Sequence, residues 1–152
     1  MITPQLRRFC LSALLFVAVA SPGFAAEGTI NQQIDQLLGD HTKYQAVTTK
    51  LQQAVVAHDA ASVAELVAYP IRVKVNGKEI MLKSARAFVK YYDAIMTPKT
   101  TKAIVDQEYD RLFVNYQGIM FGSGQVWISG ICHDNACKNF EAKITSIQDD
   151  AE

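Results

Sequence analysis

The spacing of apolar residues switches from helical to alternating at Pro70, back at Ser84, and again after Val105, and these switches bound the fold. Ile30, Ile34, Leu37 and Leu38 share one helical face, and Gly39-Asp40 ends that segment. Tyr44, Val47, Leu51, Ala54, Val55 and His58 form a second face, with Lys43, Lys50, Gln52 and Gln53 off it. Asp59 is placed to cap a third, short helix carrying Val63, Leu66 and Val67. Tyr69-Pro70 stops it, because the residue before a proline is pushed out of helical geometry. Ile71, Val73 and Val75 then alternate with Arg72, Lys74 and Asn76, as in a half-buried strand. Asn76-Gly77 is a tight-turn dipeptide that folds Glu79–Leu82 back onto it.

Ser84 caps a helix whose stripe is Phe88, Tyr91, Tyr92 and Ile95, and Thr97-Pro98 opens another toward Val105. From Leu112 the chain reads as strands: Leu112–Tyr116, Ile119–Phe121, Gln125–Ile131 and Phe140–Ile147, with a turn at Gly122-Ser123-Gly124. Helices, a hairpin, a helix and then a meander predict an α+β fold, with N-terminal helices packed on one face of an antiparallel sheet.

The first residues set the compartment. Arg7 and Arg8 precede an apolar run from Phe9 to Ala20, followed by Ser21-Pro22 and the tripeptide Gly23-Phe24-Ala25. This is the layout of a secretory signal peptide, residues 1–25, cleaved after Ala25 and implying Sec export to the periplasm. The run is shorter than the ~20 apolar residues a membrane span requires. Cleavage leaves 127 of 152 residues, one domain over 26–152, with 13 basic against 15 acidic side chains and a net charge of −2. Such a balance excludes a nucleic-acid binder, and no basic amphipathic helix marks a membrane surface after cleavage. No cofactor motif is present.

The segment from Asp59 to Val67 that feeds a proline-opened strand, the helix with Phe88 and Tyr91-Tyr92, and the meander holding Gly118, Gly122, Gly124 and Trp127 together resemble the nuclear transport factor 2-like (SnoaL-like) superfamily over residues 40–148. The resemblance implies a cone-shaped fold, helices wrapped by a curved sheet. It implies a cone pocket that Phe88, Tyr92, Phe121 and Trp127 could line for a small apolar ligand, and sheet faces able to pair as a homodimer. Isomerases of that superfamily use a carboxylate base with a tyrosine donor, for which Tyr91, Tyr92, Asp93, Asp106, Glu108, Tyr109 and Asp110 are the candidates. Tyr91 and Tyr92 already lie on a packing stripe, and the acidic run reads as solvated. No catalytic residue is therefore assigned. Arg72, Lys74 and Lys78 read as an outer strand face, Trp127 as core or cavity lining, and His41 and His58 as helix-boundary residues.

The sharpest local feature is Cys132-His133-Asp134-Asn135-Ala136-Cys137, between the two longest strands. In an oxidising compartment the two thiols are expected to join. Ring closure in so short a loop contributes about 2 kcal/mol. Adjacent ligands in a ring this tight do not suit tetrahedral zinc, so no metal is expected. The loop is either a stapled hairpin tip or a rigid platform presenting His133, Asp134 and Asn135 to a protein. Over these six residues it resembles the loop of periplasmic lysozyme inhibitors, where a cysteine-closed hexapeptide presents a His-Asp pair. The function expected is an exported binding protein that recognises a wall hydrolase or toxin as an inhibitor or immunity-type partner, and not an enzyme. The alternative is a small-molecule binder, or an isomerase-like or cyclase-like enzyme, working through the cone pocket.

Overall fold

The structure, a computed structural model, describes residues 29–149; the expected leader and its cleavage point lie outside them. Three helices come first: α1 (Ile30–Leu37), α2 (His41–Val56) and α3 (Ala60–Glu65). Each begins on a side chain that satisfies its first free N–H groups. Thr29 and Gln32 form a reciprocal capping box on α1, Asp40 accepts from the Thr42 N–H of α2, and Asp59 accepts from the Ser62 N–H of α3. His41 links α1 to α2, its Nδ1 lying 2.8 Å from both carboxylate oxygens of Asp35. The His41 main-chain N–H, donating to Asp35 Oδ1 at 2.8 Å, and then the ring contact hold the Asp35 carboxyl below the ordinary 3.8.

Strands β1 (Ile71–Val75) and β2 (Lys78–Leu82) pair as an antiparallel hairpin. Asn76 and Gly77 both take positive φ, 50° and 77°, as a type I′ turn requires. The single helix expected after Ser84 is broken in two. Tyr91 leaves helical geometry (φ −110°, ψ 12°), ending α4 (Ala85–Lys90) and starting α5 (Tyr92–Ile95). The break turns Phe88, Tyr92 and Ile95 into the core and leaves Tyr91 only partly covered, so the expected four-residue stripe is buried at three positions. Helix α6 (Pro98–Val105) follows, capped by Thr97 with proline at its start.

After a 3-10 turn at Tyr109–Arg111 come β3 (Phe113–Asn115), β4 (Gly118–Phe121), β5 (Val126–Cys132) and β6 (Phe140–Ile147), in the order β3-β4-β5-β6. Trp127 pairs with Ser146 but Ile128 with Ile144, so Thr145 is left over as a bulge that bends the sheet. The α+β class, helices on one face of a curved antiparallel sheet, is as expected. The β1-β2 hairpin forms its own two-stranded sheet beside β6. The helical layer is sewn to β6 where Ile144 donates to the Leu66 carbonyl and accepts from the Ala68 N–H, both at 2.8 Å.

Strand alternation divides the meander's side chains. Ile119, Phe121, Val126, Ile128 and Ile144 face the helices and are buried, in one core with Leu51 and Phe88. Phe113, Met120 and Trp127 lie in register on the opposite face. No helix among the described residues is long and apolar enough to cross a membrane.

Candidate functional site

Residues 133–139 connect β5 to β6, and Cys132 and Cys137 are joined by a disulfide with Cα atoms 4.8 Å apart. Three interactions fix the conformation inside that ring. His133 donates its N–H to the Asn139 carbonyl at 2.8 Å, continuing the strand ladder by one rung. The Cys137 N–H reaches the Asp134 carbonyl at 3.1 Å, and Cys137 itself takes a positive φ of 51°. The third is the Asp134 carboxylate. Its Oδ1 accepts from the Ala136 and Lys138 N–H groups at 2.9 and 3.1 Å, and its Oδ2 from Asn139 at 2.7 Å.

The Asp134 carboxylate of the expected His-Asp pair is thus already engaged with main-chain donors. It is turned back onto the loop, where it accepts from N–H groups that would otherwise face water. The N–H groups of Asn139 and Lys138, in that order, hold its carboxyl below the ordinary 3.8. His133, Asp134 and Asn135 are all exposed. The His133 Nε2 stands 3.8 Å from Oε2 of Glu141 on β6, and Lys143 Nζ is 3.7 Å from the same oxygen. The loop is thus a small rigid body with a histidine at its edge and a charged row running away from it along β6.

A lowered Asp134 pKa has a defined sign. The ionised form is favoured by the folded loop, so its contribution is complete above the unfolded value of 3.8 and is lost as pH falls through the lower folded value. In an NMR titration the Ala136, Lys138 and Asn139 amides should report a midpoint below 3.8. At pH 7, Asp134→Ala should speed exchange of these amides by roughly tenfold while leaving the core strands protected. A midpoint at or above 3.8, or unchanged exchange, would show that the carboxylate does not organise the loop.

The four aromatic residues expected around a cone pocket do not meet on one surface. Phe88 and Tyr92 are in edge contact, 6.3 Å between ring centroids, and both are buried in the core with Phe121. Trp127 occupies the other face of the sheet, half-buried and edge-on to Phe113 at 6.3 Å. It borders an open cleft of about 230 Å³ with Gln117, Ser129, Thr145, Ser146 and Gln148. The one-residue step from the buried Val126 and Ile128 puts it there, since neighbours in a strand face opposite ways.

The carboxylates considered for proton transfer are dispersed. Asp93 pairs with His58 at 3.1 Å, Asp106 with Lys102, and Glu108 with Arg111 at 2.9 Å, all at the surface. The Tyr109 hydroxyl donates to Asn31 at 3.0 Å. Arg72 faces Glu79 across the hairpin at 3.7 Å. Among the described residues no three His, Cys, Asp or Glu side chains are grouped to hold a metal ion.

Two contributors to this region escaped the sequence reading. The role of Asp134 could have been found, since Asp in a short loop commonly accepts from N–H groups two or more residues on. Lys43 could not: its Nζ donates to the Phe140 carbonyl at 2.9 Å across 97 residues of sequence, and only the packing of α2 on β6 brings them together.

The class that fold and loop define is an α+β domain of antiparallel sheets and helices carrying a disulfide-closed hairpin tip. No protein-family model matches this chain, and no curated protein or solved structure matches it either.

Proposed function

We propose that this chain is an exported, periplasmic binding protein of the nuclear transport factor 2-like kind, recognising a wall hydrolase or secreted toxin as an inhibitor or immunity-type partner. The observation that carries the reading is the doubly closed loop: a disulfide, three main-chain hydrogen bonds to the Asp134 carboxylate, and His133, Asp134 and Asn135 all exposed. A loop ordered before encounter loses less entropy on binding, which is how small rigid loops gain affinity. The leader-like residues 1–25 support export, and the order of helices, hairpin and meander supports the superfamily. The cone-pocket alternative has less support, since Phe88 and Phe121 are fully buried and Tyr92 nearly so.

The test is affinity capture by the oxidised chain Ala26–Glu152 from periplasmic extract and from a panel of purified wall hydrolases and toxins. For a captured partner, His133→Ala with Asn135→Ala should weaken binding roughly thirtyfold, the scale of a lost hot spot. Asp134→Ala is not diagnostic alone, because it loosens the loop. Affinity unchanged by the double substitution and by reduction of the disulfide would remove the loop from the interface.

A further inference from the structure

The groove between α2 and β6 unites an apolar floor with a cationic rim. Val47, Leu66, Phe140 and Ala142 form the floor; Lys43, Lys50 and Lys143 stand around it, with Glu141 the one carboxylate among the lining residues. The cleft is about 330 Å³ and continues past Lys50, Leu66 and Lys143 into a second of about 610 Å³ beside α3, where Asp59 and Glu65 add two carboxylates, so the cationic rim belongs to the first cleft alone. The chain has 15 basic and 15 acidic side chains, so this local excess of cations is not a general property of the surface.

Two of the three ammonium groups are held in place. Lys43 Nζ donates to the Phe140 carbonyl at 2.9 Å and sits 4.1 Å from the centroid of the Phe140 ring. Lys143 Nζ donates to the Glu65 carbonyl at 2.9 Å. An ammonium carries three donors, so each has capacity for an incoming carboxylate from a position already fixed. Lys50, on the exposed side of α2, adds a third charge.

The main chain of β6 favours an extended ligand. Ile144 directs both its N–H and its C=O away from β5, to Leu66 and Ala68. By strand alternation Ala142 and Phe140 direct theirs the same way, toward the groove, and Lys43 meets the Phe140 carbonyl there. A chain segment lying along this edge can bond to the main chain at Ala142, between the engaged Phe140 carbonyl and Ile144. Glu141 joins the groove to the loop, lying 3.8 Å from His133 on one side and 3.7 Å from Lys143 on the other.

We propose that this groove binds an extended acidic segment of the protein partner, with carboxylates on Lys43, Lys50 and Lys143 and an apolar side chain between them on Val47, Leu66 and Phe140. The inference rests on the protein-binding reading and extends its interface from the loop along β6. An open trough suits a peptide chain better than a small molecule, whose sites enclose most of the ligand.

The test uses a defined probe: a blocked hexapeptide alternating glutamate and leucine, and its counterpart with lysine for glutamate, each titrated into the isotope-labelled protein. The acidic peptide should shift the amides of Val47, Lys50, Leu66, Ala142 and Lys143. Lys43→Glu with Lys143→Glu should raise its Kd by about tenfold or more, and the exposed Lys50→Glu by several-fold with the fold intact. Equal binding of the basic peptide, shifts elsewhere, or indifference to all three reversals would overturn the proposal. The two readings fail separately. If the acidic peptide does not bind while partner capture still depends on His133, only the groove falls. If the peptide binds but capture ignores His133, the loop falls and the groove stands.

Discussion

Gly118→Ala is expected to cost about 3 kcal/mol or more, although it adds a single methyl group. Gly118 starts β4 with φ at +144°, a conformation that residues bearing a Cβ rarely adopt. A Cβ built there would lie 2.2 Å from the Ile128 carbonyl oxygen and 2.8 Å from the Ser129 hydroxyl. The hydroxyl could rotate aside, but the carbonyl belongs to β5, the strand to which β4 is paired. Relief therefore requires β4 and β5 to separate, opening the pairing of Ile119 with Ile128 beneath the core. In urea the unfolding midpoint should fall by roughly 2 M, given slopes of about 1–3 kcal/mol/M for domains of this size. A loss below about 1 kcal/mol would mean the strand accommodates the methyl group by shifting.

Phe88→Ala should be at least as damaging, at about 3–5 kcal/mol. Phe88 is fully buried on α4, in edge contact with Tyr92 and in one core with the inward residues of the sheet. Its removal takes the transfer free energy of a whole ring and leaves a void that surrounding elements must fill. α4 and α5 are six and four residues long, too short to hold themselves in place without that anchor. Against a typical total of about 5–15 kcal/mol the substitution should leave little margin, lowering the melting temperature by on the order of 10 °C. Phe88→Leu should recover much of the loss, because it restores volume. If alanine left the midpoint unchanged, the ring would have to be leaving no void behind.

Neither position belongs to the loop or to the groove. Their effects should appear in stability alone. Substitutions at His133, Lys50 or Lys143 are expected to change binding with little effect on the unfolding midpoint, since these side chains are exposed or only partly covered. That separation gives the functional proposals a control: a binding loss accompanied by a large stability loss does not count in their favour.

The element order was written in local signals. Spacing identified the helices, Asp59 and Ser84 marked caps that the structure uses, and Asn76-Gly77 set the hairpin turn. These succeed because each depends on atoms within a few residues: a side-chain oxygen reaching an N–H two or three positions on, or a φ that one residue must adopt. The cysteine pairing was legible for the same reason, being five residues apart.

Tertiary structure decided what no local rule reaches. The break at Tyr91 follows from how Phe88, Tyr92 and Ile95 seat in the core, while the apolar spacing of an unbroken helix looks the same. Which face of the sheet receives the helices put Trp127 on the outer side, and period-two alternation alone cannot name the covered face. The lysine groove exists because α2 lies against β6, gathering Lys43, Lys50 and Lys143 from segments about a hundred residues apart. The sequence thus determined the elements and the staple by itself. The outward face of Trp127 and the cationic groove came from packing, because each depends on which atoms distant stretches of chain place beside one another.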